Sequence, residues 1–271
     1  MSTQHEKAER FLARHHGVAP LLLPNPWDRG SAVLLASLGF EALATTSSGS
    51  AATLGRLDGG ISRGEALEHA ASIVDATDLP VSADLEHGFA DDPAGVAETI
   101  TRARATGLAG CSVEDYSGDA DSPIYDIGLA AERVAAAAEA AHDGTRMVLT
   151  ARAENYVRGR PDLADTIARL QRYQEAGADV LFATGVVALD EVRQVVAAVD
   201  RPVNVLALPG CPPIAALAAV GVRRISIGGA FAFAAYGALV EAATELRDEG
   251  TYGYWARASV GSKAARAAFR T

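Results

Sequence analysis

The stretch Leu79-Pro80-Val81-Ser82-Ala83-Asp84-Leu85-Glu86-His87-Gly88 begins as a buried strand and ends on two carboxylates. Side chains alternate across a strand. Over residues 81–86, Ser82, Asp84 and Glu86 therefore share one face, and Val81, Ala83 and Leu85 share the other. The pattern recurs twice downstream. Ser112 and Glu114 oppose Cys111 and Val113, and Thr150 and Arg152 oppose Leu149 and Ala151. An apolar face suits contact with helices. The polar face is then expected to look into a barrel, toward the C-terminal mouth where such folds carry their active sites.

Working outward, eight short apolar runs read as strands: Leu21–Pro24, Ala42–Thr46, Pro80–Asp84, Cys111–Glu114, Met147–Arg152, Asp179–Ala183, Val203–Ala207 and Arg224–Gly228. Amphipathic segments lie between most of them, at Arg63–Thr77, Pro93–Thr106, Ile127–His142, Asp162–Ala176, Asp190–Ala198 and Pro213–Val220. Strands alternating with helices imply parallel pairing through crossovers. Eight such units in roughly 250 residues predict a (β/α)8 barrel. A doubly wound open sheet is the alternative, but no GxGxxG follows the first strand. Helix-to-strand joints such as AGADV (176–180) and AVGVRRI (219–225) repeat a helix-ending glycine. With no linker-like stretch, residues 1–271 read as one domain. The barrel spans about 18–240 and a C-terminal helical tail about 241–271, with Arg257, Lys263, Arg266 and Arg270 in its last helix, Tyr252–Thr271.

The formal net charge of −10 argues against a nucleic-acid or anionic-membrane surface. No apolar stretch approaches a membrane span, and the polar start MSTQHEKAERFLARHHG lacks the apolar core of a secretion signal. Two cysteines, Cys111 and Cys211, are too few for a disulfide framework. A soluble cytoplasmic protein is expected. His15 and His16 are expected to be solvated.

Taken singly, carboxylates at strand ends are solvated charges. Taken together, Asp84, Glu86 and Glu114 converge on one mouth, where a divalent cation would neutralise them. Oxygen-only donors favour Mg2+ or Mn2+ over zinc. By parity Asp115 points the other way. The second signal is Thr45-Thr46-Ser47-Ser48-Gly49-Ser50-Ala51-Ala52, a loop whose small residues let backbone N–H groups approach an anion. Asp58 follows on the same loop. Arg152 supplies a fork for a carboxylate or phosphate. Metal, N–H groups and arginine together describe a site for a small dianionic acid, and a 2-oxo acid would chelate the metal through its keto and carboxylate oxygens. Glu154 shares the inward parity and could orient Arg152. Asn204, inside strand seven, either faces the pocket as a substrate ligand or bonds neighbouring backbone.

The stretches NPWDRGSA (25–32), TTSSGSAATLGRLDGG (45–60), SADLEHGF (82–89), GCSVED (110–115) and ARAENY (151–156) resemble the phosphoenolpyruvate mutase/isocitrate lyase superfamily in order and spacing. The resemblance spans roughly residues 20–230. It implies a (β/α)8 barrel that binds Mg2+ and a 2-oxo acid or phosphonate. It also implies a homo-oligomer, dimer or tetramer, in which a C-terminal helix is exchanged between subunits. Carried over residue by residue, Ser47, Ser48 and Gly49 would anchor the substrate and Trp27 would form a pocket wall. Asp84 would ligate the metal directly, Asp58, Glu86 and Glu114 would hold metal-bound waters, and Arg152 would bind the substrate carboxylate. Glu86 departs from the family's usual aspartate.

The larger departure is the loop Tyr116–Tyr125. Lyases of the family carry a Lys-Lys-Cys-Gly-His type sequence there, with an acidic cysteine. Mutases and phosphonopyruvate hydrolases carry a lysine and an asparagine. Neither set is present. Tyr116, Tyr125 or a metal-bound water could supply the missing acid, beside Glu114 and Arg152 as catalytic groups. The expected activity is Mg2+-dependent carbon–carbon lysis of a small 2-oxo or 2-hydroxy di- or tricarboxylic acid through a metal-stabilised, pyruvate-like enolate. A phosphonate enzyme and a non-catalytic 2-oxo acid binder are the alternatives.

Overall fold

The computed structural model describes residues 2–269. In chain order the elements are α1 (Gln4–His15), β1 (Leu21–Leu23), α2 (Arg29–Ser37), β2 (Leu43–Ala44), α3 (Ser47–Thr53), α4 (Arg63–Val74), β3 (Val81–Asp84), α5 (Pro93–Arg104), β4 (Gly110–Glu114) and α6 (Ile127–His142). There follow β5 (Val148–Ala153), α7 (Leu163–Glu175), β6 (Val180–Ala183), α8 (Leu189–Ala198), β7 (Val203–Leu206), α9 (Ile214–Ala219), β8 (Arg224–Ser226), α10 (Ala230–Thr244) and α11 (Trp255–Ala268). A π-helical turn, Glu245–Glu249, extends α10. Every expected strand and interstrand helix is present, with boundaries shifted by a few residues.

Hydrogen-bonded neighbours run β1-β8-β7-β6-β5-β4-β3-β2, all parallel. This is a (β/α)8 barrel, closed except for a seam between β1 and β2. One backbone bond crosses the seam, from Ala44 N–H to the Pro24 carbonyl at 3.1 Å. The buried Asn25 reinforces it from both sides. Its Nδ2 donates to the Thr45 carbonyl (2.9 Å), and its Oδ1 accepts from the N–H groups of Ile227 and Gly228 (3.0 Å each).

Local chemistry explains the segmentation. Ser62 and Glu65 form a capping box at the start of α4, and Asp92 with Pro93 starts α5. Gly177 ends the turn after α7 at φ 105°, and a Cβ there would lie 2.9 Å from Ala138. The predicted joint therefore requires glycine on two counts.

The strand parity holds. Val81, Ala83, Leu85, Cys111, Val113, Leu149 and Ala151 pack outward with the helices in one continuous core. A second cluster closes the base of the barrel, where Phe11 of α1 meets Leu21, Leu23, Ala42, Val148 and Val180. Here the structure corrects an expectation. His15, expected in solvent, is fully buried one turn beyond Phe11. The polar N-terminal stretch is a capped helix whose few apolar positions plug the barrel, too few to show in composition. A second correction concerns residues 47–53, read as loop. They form a short helix capped by the Thr46 side chain.

Helix α11 occupies the expected tail and lies beside α2, where Phe269 comes within 3.6 Å of where a Gly30 Cβ would sit. None of the α11 residues is buried. Arg270, counted with the tail's basic residues, lies outside the described residues. Among the described residues no helix is long and apolar enough to cross a membrane.

Phe11 is inaccessible and fills the barrel base. Phe11→Ala is expected to cost about 3–5 kcal/mol of unfolding free energy, read from the midpoint of a urea titration.

Candidate active site

The three polar strand faces meet at the mouth around Arg152. Its Nη1 pairs with Asp84 (3.0 Å), its Nη2 with Glu114 (3.1 Å), and its Nε and Nη2 with Glu154 (3.0 Å each). The register explains the convergence, because Asp84 pairs with Ser112 across β3–β4 and Glu114 with Arg152 across β4–β5. Burial opposes the charge on Arg152, but Glu114, Glu154 and Asp84 outweigh it and hold the guanidinium protonated well above its usual range. One guanidinium cannot neutralise three carboxylates. Burial, ahead of the counter-pull of Arg152 and the repulsion of Glu154, accordingly raises the Glu114 carboxyl well above the usual carboxylate range. Arg158 adds a longer contact to Glu114 (3.5 Å) and lies over the Tyr116 ring, 3.4 Å from its centroid.

Glu86 follows on a strained turn, at φ 48°. It is buried, and its Oε1 has no hydrogen-bond partner. Burial and then the charges of Asp84 and Asp58 raise its pKa to about 7. The acidic side of the mouth therefore holds more negative charge than its arginine balances.

Helix α3 brings its first residues to the same place. The Ser47 hydroxyl donates to Asp84 Oδ2 (3.0 Å), and its backbone N–H points to the same oxygen (3.3 Å). Gly49 N–H is taken by the Thr46 cap (3.3 Å). Of the three N–H groups expected to anchor an anion, only that of Ser48 makes no hydrogen bond among the described residues. Gly49 has a packing role, since a Cβ there would lie 2.6 Å from the Thr46 methyl and 3.1 Å from Trp27 Cβ.

A cavity of about 170 Å³ opens between these groups, lined among others by Ser47, Ser48, Asp58, Asp84 and Arg152. Several expected site residues lie off it. Trp27 packs beside α3, and its carbonyl binds His69 (3.0 Å). Asn204 sits beneath the cavity, its amide taken up by the side chains of Ser226 (3.0 Å) and Arg224 (2.9 Å), where the expectation had been the pocket or neighbouring backbone. Tyr116 is outside the cavity, because it pairs with Ile124 in a small hairpin and lies under Arg158. Tyr125 donates to Asp91 (2.5 Å), and burial with that bond pushes its pKa up to about 12. Asp115 faces the helices, as parity predicted, and is held by Tyr173 (2.6 Å) and Arg169 (3.1 Å). Sequence reading missed Arg224, Ser226 and Asn25 in the lining. The inward parity of Arg224 and Ser226 in the eighth strand was the available signal.

The sequence model described as phosphoenolpyruvate phosphomutase matches residues 11–247. This chain belongs to the phosphoenolpyruvate mutase/isocitrate lyase superfamily. The family contains carbon–carbon lyases and mutases. The crystal structure of a Burkholderia cenocepacia J2315 protein superposes with a TM-score of 0.90 at 51% identity, covering 93% of this chain and 91% of that one. The oxaloacetate decarboxylase of Chromohalobacter salexigens is 31% identical over 258 residues, covering 91% of this chain and 87% of that protein. A crystal structure of 2,3-dimethylmalate lyase superposes with a TM-score of 0.83 at 26% identity, covering 93% and 90%.

Within this superfamily fold, the donor set at the mouth suits a hard divalent cation. The carboxylates are oxygen-only ligands, and Glu86 presents an orphaned buried oxygen beside an excess of negative charge. Among the described residues no three acidic, histidine or cysteine groups are gathered in coordinating positions. The reason is visible: Asp84 and Glu114 close on Arg152, which carries part of the charge a cation would balance.

Glu86 also sets a pH dependence. Its native pKa of about 7 lies above the ordinary 4.5, so the folded state holds this proton more tightly than the unfolded chain. Its contribution to stability is full below about pH 4.5 and is lost as pH rises to about 7. Glu86→Gln should therefore melt higher than the wild type at pH 8 in metal-free buffer, by at least about 2 °C. The difference should vanish near pH 4.5, as followed by calorimetric scans.

Proposed function

We propose that this protein is a Mg2+- or Mn2+-dependent carbon–carbon lyase acting on a small 2-oxo or 2-hydroxy di- or tricarboxylic acid. The observation that carries the reading is that Asp58 and Asp84 share one small cavity with the anion-binding groups Ser48 N–H and Arg152, while Glu86 and Glu114 lie outside its lining and border Asp84. Asp84 would be the direct metal ligand, with Asp58, Glu86 and Glu114 around it. When bound, the ion supplies Lewis acidity that draws electron density toward the 2-oxo oxygen.

The chain's own groups do the rest. Ser48 orients the acid's carboxylate at the start of α3, while Ser47 holds Asp84. Arg152 stabilises negative charge there, and Glu154 positions Arg152 by its bond to Nε. The low exposure of Arg152 strengthens these interactions, and Glu114 holds its guanidinium in place.

The exposed faces of α10 and α11 carry Leu239, Val240, Trp255 and Val260, each more than half exposed. A second copy of the chain is the proposed cover for this surface, in a dimer or tetramer. Sedimentation velocity should give a mass of two or four chains. A monomer at micromolar concentration would end that part of the reading.

The activity test is release of pyruvate or glyoxylate from oxaloacetate, 2-methylisocitrate and 2,3-dimethylmalate, with Mg2+ and with chelator. Turnover of at least one acid that stops on chelation is expected. Asp84→Ala should weaken Mg2+-dependent binding of the acid by at least about 100-fold while leaving the circular dichroism spectrum unchanged. Normal binding by that variant would move the site elsewhere.

A further inference from the structure

Among the described residues, Arg224 is the one buried guanidinium of the barrel interior that contacts no carboxylate. It lies on β8, in register with Asn204 on β7 and Leu21 on β1, and is 4% exposed. Its Nε donates to Asn204 Oδ1 and its Nη1 to Thr150 Oγ1, both at 2.9 Å. Nη1 also faces His15 Nε2 at 3.5 Å, and His15 Nδ1 is bound to the Phe11 carbonyl at 2.8 Å. These partners are neutral. Burial and the nearby Arg224 lower the His15 pKa to about 3, so its ring carries no proton to spare. The charged neighbour of Arg224 is Arg152, of the same sign. Arg152 and Arg169, by contrast, each contact two or more carboxylates.

The unfilled part of the fork points to what is missing. Arg224 Nη2 has no hydrogen-bond partner among the described residues, and it is not among the polar atoms sealed away without one. Arg224 lines the cavity, together with the hydroxyls of Ser82, Ser112 and Ser226. A guanidinium held by neutral groups, with its Nη2 N–H bonds open to a cavity of hydroxyls, suits an anion. Burial and then repulsion from Arg152 lower the Arg224 pKa to about 9, which an anion beside it would offset.

We propose that Arg224 forms a second anion-binding position on the cavity floor, which takes the second anionic group of the small acid. The first is taken near Ser48 and Arg152. The assignment of the first end rests on the function proposed above. The cavity, about 170 Å³, is below the roughly 300–1,000 Å³ of pockets for drug-sized ligands, so it selects an acid of few carbons. Asn204 is a positioning residue, because its Oδ1 fixes Nε and turns Nη2 toward the cavity.

Pyruvate and oxaloacetate differ by one carboxylate and separate the two ends. Calorimetric titration of the full chain with Mg2+ should show oxaloacetate binding at least about tenfold tighter than pyruvate. Arg224→Gln should bring the two affinities within about twofold while leaving pyruvate within about threefold of wild type, and Arg224→Lys should recover part of the preference. An unchanged preference in Arg224→Gln, or a parallel loss for both acids, overturns the proposal. If the glutamine variant does not fold, the wild type decides: oxaloacetate and its 4-methyl ester binding equally overturns it, and discrimination against the ester supports it. Pyruvate binding without any diacid preference sinks the Arg224 assignment alone. Binding of neither acid sinks the metal-dependent reading with it.

Discussion

The contact of Arg152 with three carboxylates is the constraint around which the mouth is organised. Asp84, Glu114 and Glu154 come from the ends of three adjacent segments, and each would be costly to bury alone. The arginine makes their burial tolerable without making the cluster neutral. The remainder appears as raised proton affinity in Glu114 and Glu86. A site held in this way is ready to exchange one positive charge for another. A cation at Asp84, in the function proposed above, would compete with Arg152 for the Asp84 carboxylate, and the freed guanidinium would be available to an acid.

Most of the fold was legible because parallel barrel strands obey simple rules. A run of four to six residues, a period of two and a glycine at the helix end located all eight strands. The same parity correctly separated Asp84 and Glu114 from Asp115, which differs from Glu114 by a single residue and lies on the opposite side of the sheet. Parity fails where the backbone leaves the strand. Glu86 comes after β3, at positive φ, so its position depends on a turn that alternation does not describe.

Other parts were hidden for different physical reasons. Helix α1 buries few large apolar side chains, so its amphipathic signal is carried by Phe11 and a few small neighbours. The burial of His15 depends on the far end of the chain, where Arg224 meets it inside the barrel. Trp27 and Gly49 were read as substrate contacts, yet they contact each other closely and set how α3 meets the β1 end. Asn204 was correctly singled out as a buried amide in need of partners, and those partners were Ser226 and Arg224.

Asn25 links residues about 200 positions apart by accepting the N–H groups of Ile227 and Gly228, on the seam that closes the barrel. A chain still emerging from the ribosome therefore has the N-terminal acidic strands long before it has their enclosure. Until β8 is in place, β1 and β7 lack the strand that joins them, and the ring around the mouth stays open. Enclosure of the mouth is therefore the last event of chain synthesis, and it rests on contacts of the highest sequence separation in the barrel.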